Sequence, residues 1–162
     1  MHACGTSFIH SNVEKGGEPV IERIDVTYQG NLRCEAEMPS TGARVLIDVP
    51  TQYGGSGESF SGTDMLAAGL GGCLMGVIAA VMRRRELDME GAKITVLKEM
   101  AEVGSTRRIT RMDVAIHMPH DAPPDVRKAV ERSLHACPVH NSLNPDIEMT
   151  FKFEWGSRAD SP

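Results

Sequence analysis

The segment from Met65 to Met82 contains 18 consecutive residues without a charged, amide or hydroxyl side chain. Such a length is at the lower limit for a helix that crosses a bilayer. Four glycines within the segment lower its hydropathy, however, and alternating strand patterns precede and follow it. We therefore interpret it as a helix over residues 62–87 that is buried on all sides in the core of a folded domain. Ser61 and Asp64 have the spacing of a capping box and predict where this helix begins.

Around this helix the sequence alternates apolar and polar residues, as half-buried strands do. Three such segments lie before the helix, two lie after it, and one more lies near the carboxyl end. A second helix is predicted before the last strand, beginning at residues 121–124 with two prolines and ending near Asn144. The predicted order β-β-β-α-β-β-α-β defines an α+β class, with two central helices packed on antiparallel sheet.

The length of 162 residues fits one domain with a core of its own. We expect a loose amino-terminal arm at residues 1–21, a single domain at 22–155 and a disordered tail at 156–162. No apolar leader is visible in the arm, which favours a cytoplasmic protein with reduced thiols. The net charge of −5 argues against binding to nucleic acid, and we also expect no membrane partner. The longest loop, at residues 53–62 between the third predicted strand and the first helix, is expected to be flexible because of its glycine and serine content.

The chain has four cysteines, two of which fall on the predicted helices. Cys73 lies in the apolar helix and Cys137 on the apolar side of the second helix, so facing helices could bring the two sulfurs within bonding distance. The alternative is that each packs as a small apolar side chain, as free cysteines often do. Cys34 is expected in the core and Cys4 on the exposed arm.

A short motif of imidazole and thiol groups is formed by His135, Cys137 and His140, and such groups are ligands of zinc. Pro138 disturbs the helix at this point, and no further cysteine lies nearby in the sequence. We therefore expect neither a metal nor another cofactor.

The segments around the two cysteines resemble those of a known family. Residues 66–73, with the sequence LAAGLGGC, resemble the first-cysteine helix of the OsmC/Ohr family, and residues 136–143, ACPVHNSL, resemble its second-cysteine motif. Pro50 and the glycines at 54–55 resemble the Pro-x-x-x-Gly-Gly loop of the family. The resemblance extends over about residues 22–155 and includes the predicted order of strands and helices.

This resemblance implies a thiol-dependent peroxidase that reduces organic hydroperoxides. Cys73 would attack the peroxide as a thiolate and become a sulfenic acid, and Cys137 would condense with it into a disulfide. An external dithiol would then reduce this disulfide by exchange. The resemblance also implies an intertwined homodimer, with the active sites near the subunit interface.

A peroxidatic thiolate requires a cation, and the resemblance of residues 30–33 to the arginine segment of the family makes Arg33 the candidate. The alternative for Arg33 is an ion pair with Glu35 or Glu37 on the polar face of its own strand. Arg44 is the second candidate for the cation.

The sequence departs from the family at the acid that precedes the first cysteine. Many peroxidase members carry a glutamate ten residues before that cysteine, whereas Thr63 occupies this position here. The nearest acid is Asp64, nine residues before Cys73, which either orients the arginine or only caps the helix.

Two other functions are compatible with the same residues. A protein that kept the fold and the cysteines without turnover would be a redox sensor or a ligand-binding protein. A thiol enzyme of another kind, such as an acyl hydrolase, requires a residue that orients its base, and the sequence contains no such signal.

Overall fold

The computed structural model describes residues 19–156. Residues 1–18 of the predicted arm, with Cys4, and residues 157–162 of the predicted tail lie outside this range. The described strands are β1 (Asp25–Gly30), β2 (Arg33–Met38), β3 (Ala43–Asp48), β4 (Lys93–Val103), β5 (Thr106–Met118) and β6 (Glu148–Trp155). The described helices are α1 (Gly62–Arg84), α2 (Pro124–Ser133) and α3 (Pro138–Ser142), with 3-10 turns at Thr51–Tyr53 and Leu134–Ala136.

The strands form two separate sheets, and the predicted α+β class and order of strands are confirmed. In the first sheet β1, β2 and β3 are all antiparallel. In the second sheet β4 and β5 are antiparallel, but β6 joins β5 in parallel, which differs from the antiparallel sheet that we predicted. The reason is the connection through α2 and α3, which returns the chain from the end of β5 to the level of its start, as a crossover does.

The core lies between the second sheet and the helices. Leu70, Leu74 and Ile78 of α1 are fully buried against the inward face of β5. Val126 and Val130 of α2 complete the same cluster, at the helical spacing that the sequence indicated. The core is therefore aliphatic, with methionines filling much of the remaining space.

Helix α1 is buried on only one side, contrary to the prediction that its whole surface is covered. Its other side carries an exposed stripe of apolar and small residues, which we call the α1 stripe: Leu66, Gly69, Gly72, Gly76 and Ala80. By length and composition α1 could also cross a membrane, since an 18-residue window of it has a mean hydropathy of 2.1, and 28% of that window is buried. Within residues 19–156 the strands and helices leave this side of α1 uncovered.

The first sheet stands apart from this core. Within the described residues none of its strands makes an extensive contact with a helix, and β1, predicted to be half-buried, exposes both faces. Val26 and Tyr28 are 60% and 64% exposed. A parallel bridge between Ile47 and Phe60 and a contact of Arg107 with the Tyr53 ring connect the sheet and its following loop to the rest. Exposed apolar surface of this kind is typical of interaction sites.

Candidate functional site

Cys73 and Cys137 lie in contact with each other as free thiols. Cys73 lies in the middle of α1 and is half-buried, and Cys137 is fully buried. The chain reaches this arrangement because α1 packs against the 3-10 turn at Leu134–Ala136 and against α3, on either side of Cys137.

The sequence pattern predicted that Cys137 lies within the second helix. In the structure it lies instead at a break between two helical segments. Pro138 cannot continue the preceding helix, so Cys137 has extended backbone and becomes the N-cap of α3. Its Sγ accepts a hydrogen bond from the backbone N–H of His140 at 3.4 Å. The ring of His140 packs against Phe151 at 5.3 Å between centroids, and His135 is exposed.

The environment of Cys137 keeps it protonated. Burial raises the pKa of the Cys137 thiol, and a hydrogen bond to Cys73 raises it further. The pair is therefore asymmetric, with a fully buried thiol at Cys137 beside a half-buried one at Cys73.

Arg33 contacts neither of the two glutamates that we proposed as its alternative partners. Its Nη2 instead bonds Ser56, Glu58 and Asp48, the last at 3.4 Å. Glu35 and Glu37 pair with Arg44 at 3.3 and 3.0 Å, on the outer face of the first sheet. Within residues 19–156 neither Arg33 nor Arg44 forms a hydrogen bond or ion pair with a cysteine.

Asp48 is the centre of the Arg33 cluster. Its side chain is fully buried, and its Oδ2 accepts from the Ser56 hydroxyl, from the Glu58 backbone N–H at 3.0 Å and from Arg33. These bonds, led by the one from Ser56, lower the pKa of Asp48 to about 2. Its Oδ1 has no partner among the described residues.

The glycine-rich loop after β3 is folded tightly, although its composition predicted flexibility. The N–H groups of Gly55 and Gly57 bond the carbonyls of Pro50 and Val49 at 3.3 and 3.2 Å. A Cβ at Gly55 would lie 1.8 Å from the Val49 oxygen, so no other residue fits there without moving the backbone. This close approach explains the Pro-x-x-x-Gly-Gly pattern and places Ser56 and Glu58 over Asp48.

Asp64 caps α1, as the capping-box spacing predicted. It forms both reciprocal bonds with Ser61, and it also pairs with Lys98 Nζ at 2.6 Å. The bonds from Lys98 and Ser61 lower the pKa of Asp64 to about 2. Within the described residues Asp64 contacts Lys98 and not Arg33, so it does not orient the arginine in its own chain.

Lys98 was missed by the sequence analysis, although the signal was present. It lies in the same alternation phase of β4 as Ile94 and Val96, which face inward. Its side chain is only 15% exposed. A lysine among the inward-facing residues of a strand places a charge in the interior, and such a charge requires an acidic partner there.

A cavity beside α1 is lined by neither of the two cysteines. It has a volume of about 980 Å³ and runs along α1 and β4, with Glu58, Asp64 and Lys98 at its polar end. Its α1 residues include Gly71 and Met75. At about 100° per residue, Cys73 lies on nearly the opposite side of the helix. The thiol pair and the Arg33 cluster are therefore separate within one chain.

Comparison with known proteins identifies the family. The family model described as OsmC-like protein matches residues 55–152, which include both contacting cysteines and Asp64. Arg33 lies before the matched range. The chain belongs to the OsmC/Ohr family. No curated protein matches the chain.

Solved structures share the fold over most of the chain. A protein of Psychrobacter arcticus, described as an osmotic stress induced and detoxification response protein, is 31% identical, with a TM-score of 0.78 over 85% of this chain and 98% of that one. An organic hydroperoxide resistance protein OsmC of Legionella pneumophila is 14% identical, with a TM-score of 0.68 over 85% and 99%. An OsmC-like protein of unknown function from Vibrio cholerae is 13% identical, with a TM-score of 0.71 over 84% and 100%.

Proposed function

We propose that the chain is a two-cysteine, thiol-dependent peroxidase that reduces organic hydroperoxides. The contact between Cys73 and Cys137 as free thiols carries this proposal. The family includes organic hydroperoxide resistance proteins, such as the one from Legionella pneumophila. We place this activity in the cytoplasm, where thiols are kept reduced between turnovers.

The difference in burial between the two cysteines supports one order of steps. Cys73 is the more accessible of the two, and burial raises the pKa of the Cys137 thiol, so in this proposal the thiolate of Cys73 attacks the peroxide O–O bond. The sulfur takes the OH group and becomes a sulfenic acid, and the alkoxide leaves and is protonated to the alcohol. The sulfur of Cys137 then attacks that of Cys73, water leaves, and a disulfide forms. An external dithiol restores both thiols and becomes a disulfide itself.

In this proposal Arg33 acts on the thiolate of a second copy. The sheet that carries Arg33 makes no extensive contact with α1 in its own chain. That sheet and the α1 stripe both expose apolar surface, which an intertwined homodimer would cover. Each active site would then contain the cysteine pair of one chain and Arg33 of its partner.

Consumption of cumene hydroperoxide with dithiothreitol or dihydrolipoamide tests the activity. Cys73→Ser is expected to abolish turnover, because serine has no accessible anion at neutral pH. Cys137→Ser is expected to allow one attack and then to accumulate overoxidised Cys73. Cys34→Ser is the matched control, since Cys34 is a half-buried free cysteine in β2, and it should leave turnover unchanged.

Peptide mapping after one equivalent of peroxide tests the mechanism. A disulfide between Cys73 and Cys137 within one chain, with Cys34 free, is the expected product. Recovery of both alkylated thiols after that treatment would remove the two-cysteine mechanism.

A redox-sensing or ligand-binding protein without turnover is the second candidate. The absence of a glutamate ten residues before Cys73 favours this second function. Thr63 occupies that position, and the neighbouring Asp64 is bonded to Lys98. Formation of the disulfide without steady-state consumption of peroxide would support this function over the first.

A further inference from the structure

The carboxylate of Asp48 is a buried charge that no step of the proposed mechanism uses. Charged side chains are rarely fully buried unless they are paired. Asp48 is 2% exposed, and one of its oxygens has no partner among residues 19–156. The other oxygen accepts from Arg33, Ser56 and the backbone of Glu58. All the hydrogen bonds that this carboxylate accepts from the described residues therefore reach one atom, Oδ2.

The hydrogen bonds around Asp48 Oδ2 fix the direction of the Arg33 side chain. Nη2 of Arg33 contacts acceptors from β3 and from two positions of the glycine-rich loop: Asp48, Ser56 and Glu58. Among the described residues the recorded bonds of this guanidinium use Nη2 alone, so Nε and Nη1 keep their N–H groups for other acceptors. A free arginine side chain has many rotamers, and fixing it in one of them costs conformational entropy. If the side chain is already fixed, a later binding step does not include this cost.

We propose that Asp48 is a positioning residue for Arg33. Together with Ser56 it fixes Arg33 and Glu58 as a preformed ion pair, whose remaining donors face a thiolate and peroxide. Glu58 then supplies the counter-charge that Thr63 cannot supply at the glutamate position of the family. This inference rests on the proposed peroxidase function.

Four single variants separate positioning from folding. Asp48→Asn removes the charge at nearly constant shape, and Ser56→Ala removes two bonds at an exposed loop residue, one to Asp48 and one from Arg33. The control for the first is Asp113→Asn, because Asp113 also accepts from an arginine and a hydroxyl, but on the second sheet. The control for the second is Ser40→Ala, whose hydroxyl bonds Glu22 at 2.5 Å at the other end of the first sheet.

Two measurements are made on each variant: the single-turnover rate of Cys73 with cumene hydroperoxide, and the NMR signals of the Arg33 guanidinium. Resolved Nη–H signals are expected in the wild type, because fixed bonds slow rotation of the group. Asp48→Asn is expected to lose these signals and to lower the rate about 10-fold, as for one lost charge-assisted bond. Ser56→Ala should do the same to a smaller extent without a change in melting temperature, and both controls should match the wild type.

A double variant shows whether Asp48 acts through Arg33. Asp48→Asn should have no further effect on the rate of Arg33→Ala, because the residue that it positions is already absent. An equal loss in both backgrounds would overturn the inference, and so would Arg33 signals that persist in Asp48→Asn. If Asp48→Asn does not fold, Ser56→Ala decides by the same two measurements. An Arg33→Ala variant with the wild-type rate would show that Arg33 takes no part in the proposed mechanism. The comparison of Arg33 NMR signals between the wild type and Asp48→Asn would still decide whether Asp48 fixes the Arg33 side chain.

Discussion

Combining an inactive variant with a slow one in the same dimer tests whether Arg33 acts across the proposed interface. Cys73→Ser removes the attacking thiolate and Arg33→Ala removes the cation, so both sites of each homodimer are incomplete. In one chain the sheet with Arg33 and the helix with Cys73 make no extensive contact. A heterodimer of the two variants therefore unites Cys73 of one chain with Arg33 of the other at one of its two sites.

The expected rates follow from the symmetry of the dimer. A purified heterodimer should have about half of the wild-type rate, because one of its two equivalent sites is complete. An unseparated equimolar mixture should reach about a quarter, since random pairing places about half of the chains in heterodimers. The Cys73→Ser homodimer should be inactive, and the Arg33→Ala homodimer should be slower by about 10- to 100-fold.

Coexpression with two affinity tags and purification on both supplies the heterodimer for a cumene hydroperoxide assay. The reciprocal control pairs a wild-type chain with the Cys73→Ser/Arg33→Ala double variant. If Arg33 acts across the interface, this control has no complete site and should be nearly inactive. A heterodimer no faster than the mean of its parents, together with a half-active control, would place Arg33 on the thiolate of its own chain and refute the reasoning.

Three further predictions concern assembly, the second arginine and acid stability. Light scattering at micromolar concentration should give twice the chain mass of 17.6 kDa, and a value near 17.6 kDa would reject the dimer. Arg44→Ala should keep the peroxide rate within about two-fold of the wild type, because exposed ion pairs such as those with Glu35 and Glu37 contribute little; a loss as large as that of Arg33→Ala would make Arg44 the cation. The pKa of Asp64 is lowered from 3.8 to about 2, so its stabilising effect is present above about pH 4 and lost as the pH falls through 2. In urea unfolding Asp64→Asn should be less stable than the wild type by about 1 kcal/mol near neutral pH. This value is smaller than the pKa shift alone would give, because the side chain is 41% exposed and solvent weakens its interactions. A stability difference that stays constant down to pH 2 would contradict this prediction.

The order of elements could be predicted because it depends on local patterns. The alternation of the strands and the capping box at Ser61 are both properties of neighbouring residues. Alternation does not reveal whether the elements of the same chain pack on an apolar face. Val26 has the pattern of a half-buried residue, yet it is exposed in its own chain because the sheet does not pack on α1.

The polar cluster could not be predicted because it depends on how a loop folds back. Asp48 falls in the polar phase of β3, so its pattern indicates a solvent-exposed position. It is buried because the segment with Ser56 and Glu58 closes over it, and that closure requires the backbone approach at Gly55. The break at Cys137 was signalled by Pro138, but its result, a sulfur that caps a helix, depends on three-dimensional geometry.

The N-cap position of Cys137 links sulfur chemistry to the backbone. Its Sγ is the side-chain acceptor for the His140 N–H at the start of α3. When the disulfide forms, this sulfur exchanges its thiol proton for a bond to a second sulfur, so the change in bonding at Cys137 alters the environment of this amide. The His140 amide resonance is thus a reporter within the molecule itself, which would distinguish reduced from oxidised protein without a label or a substrate.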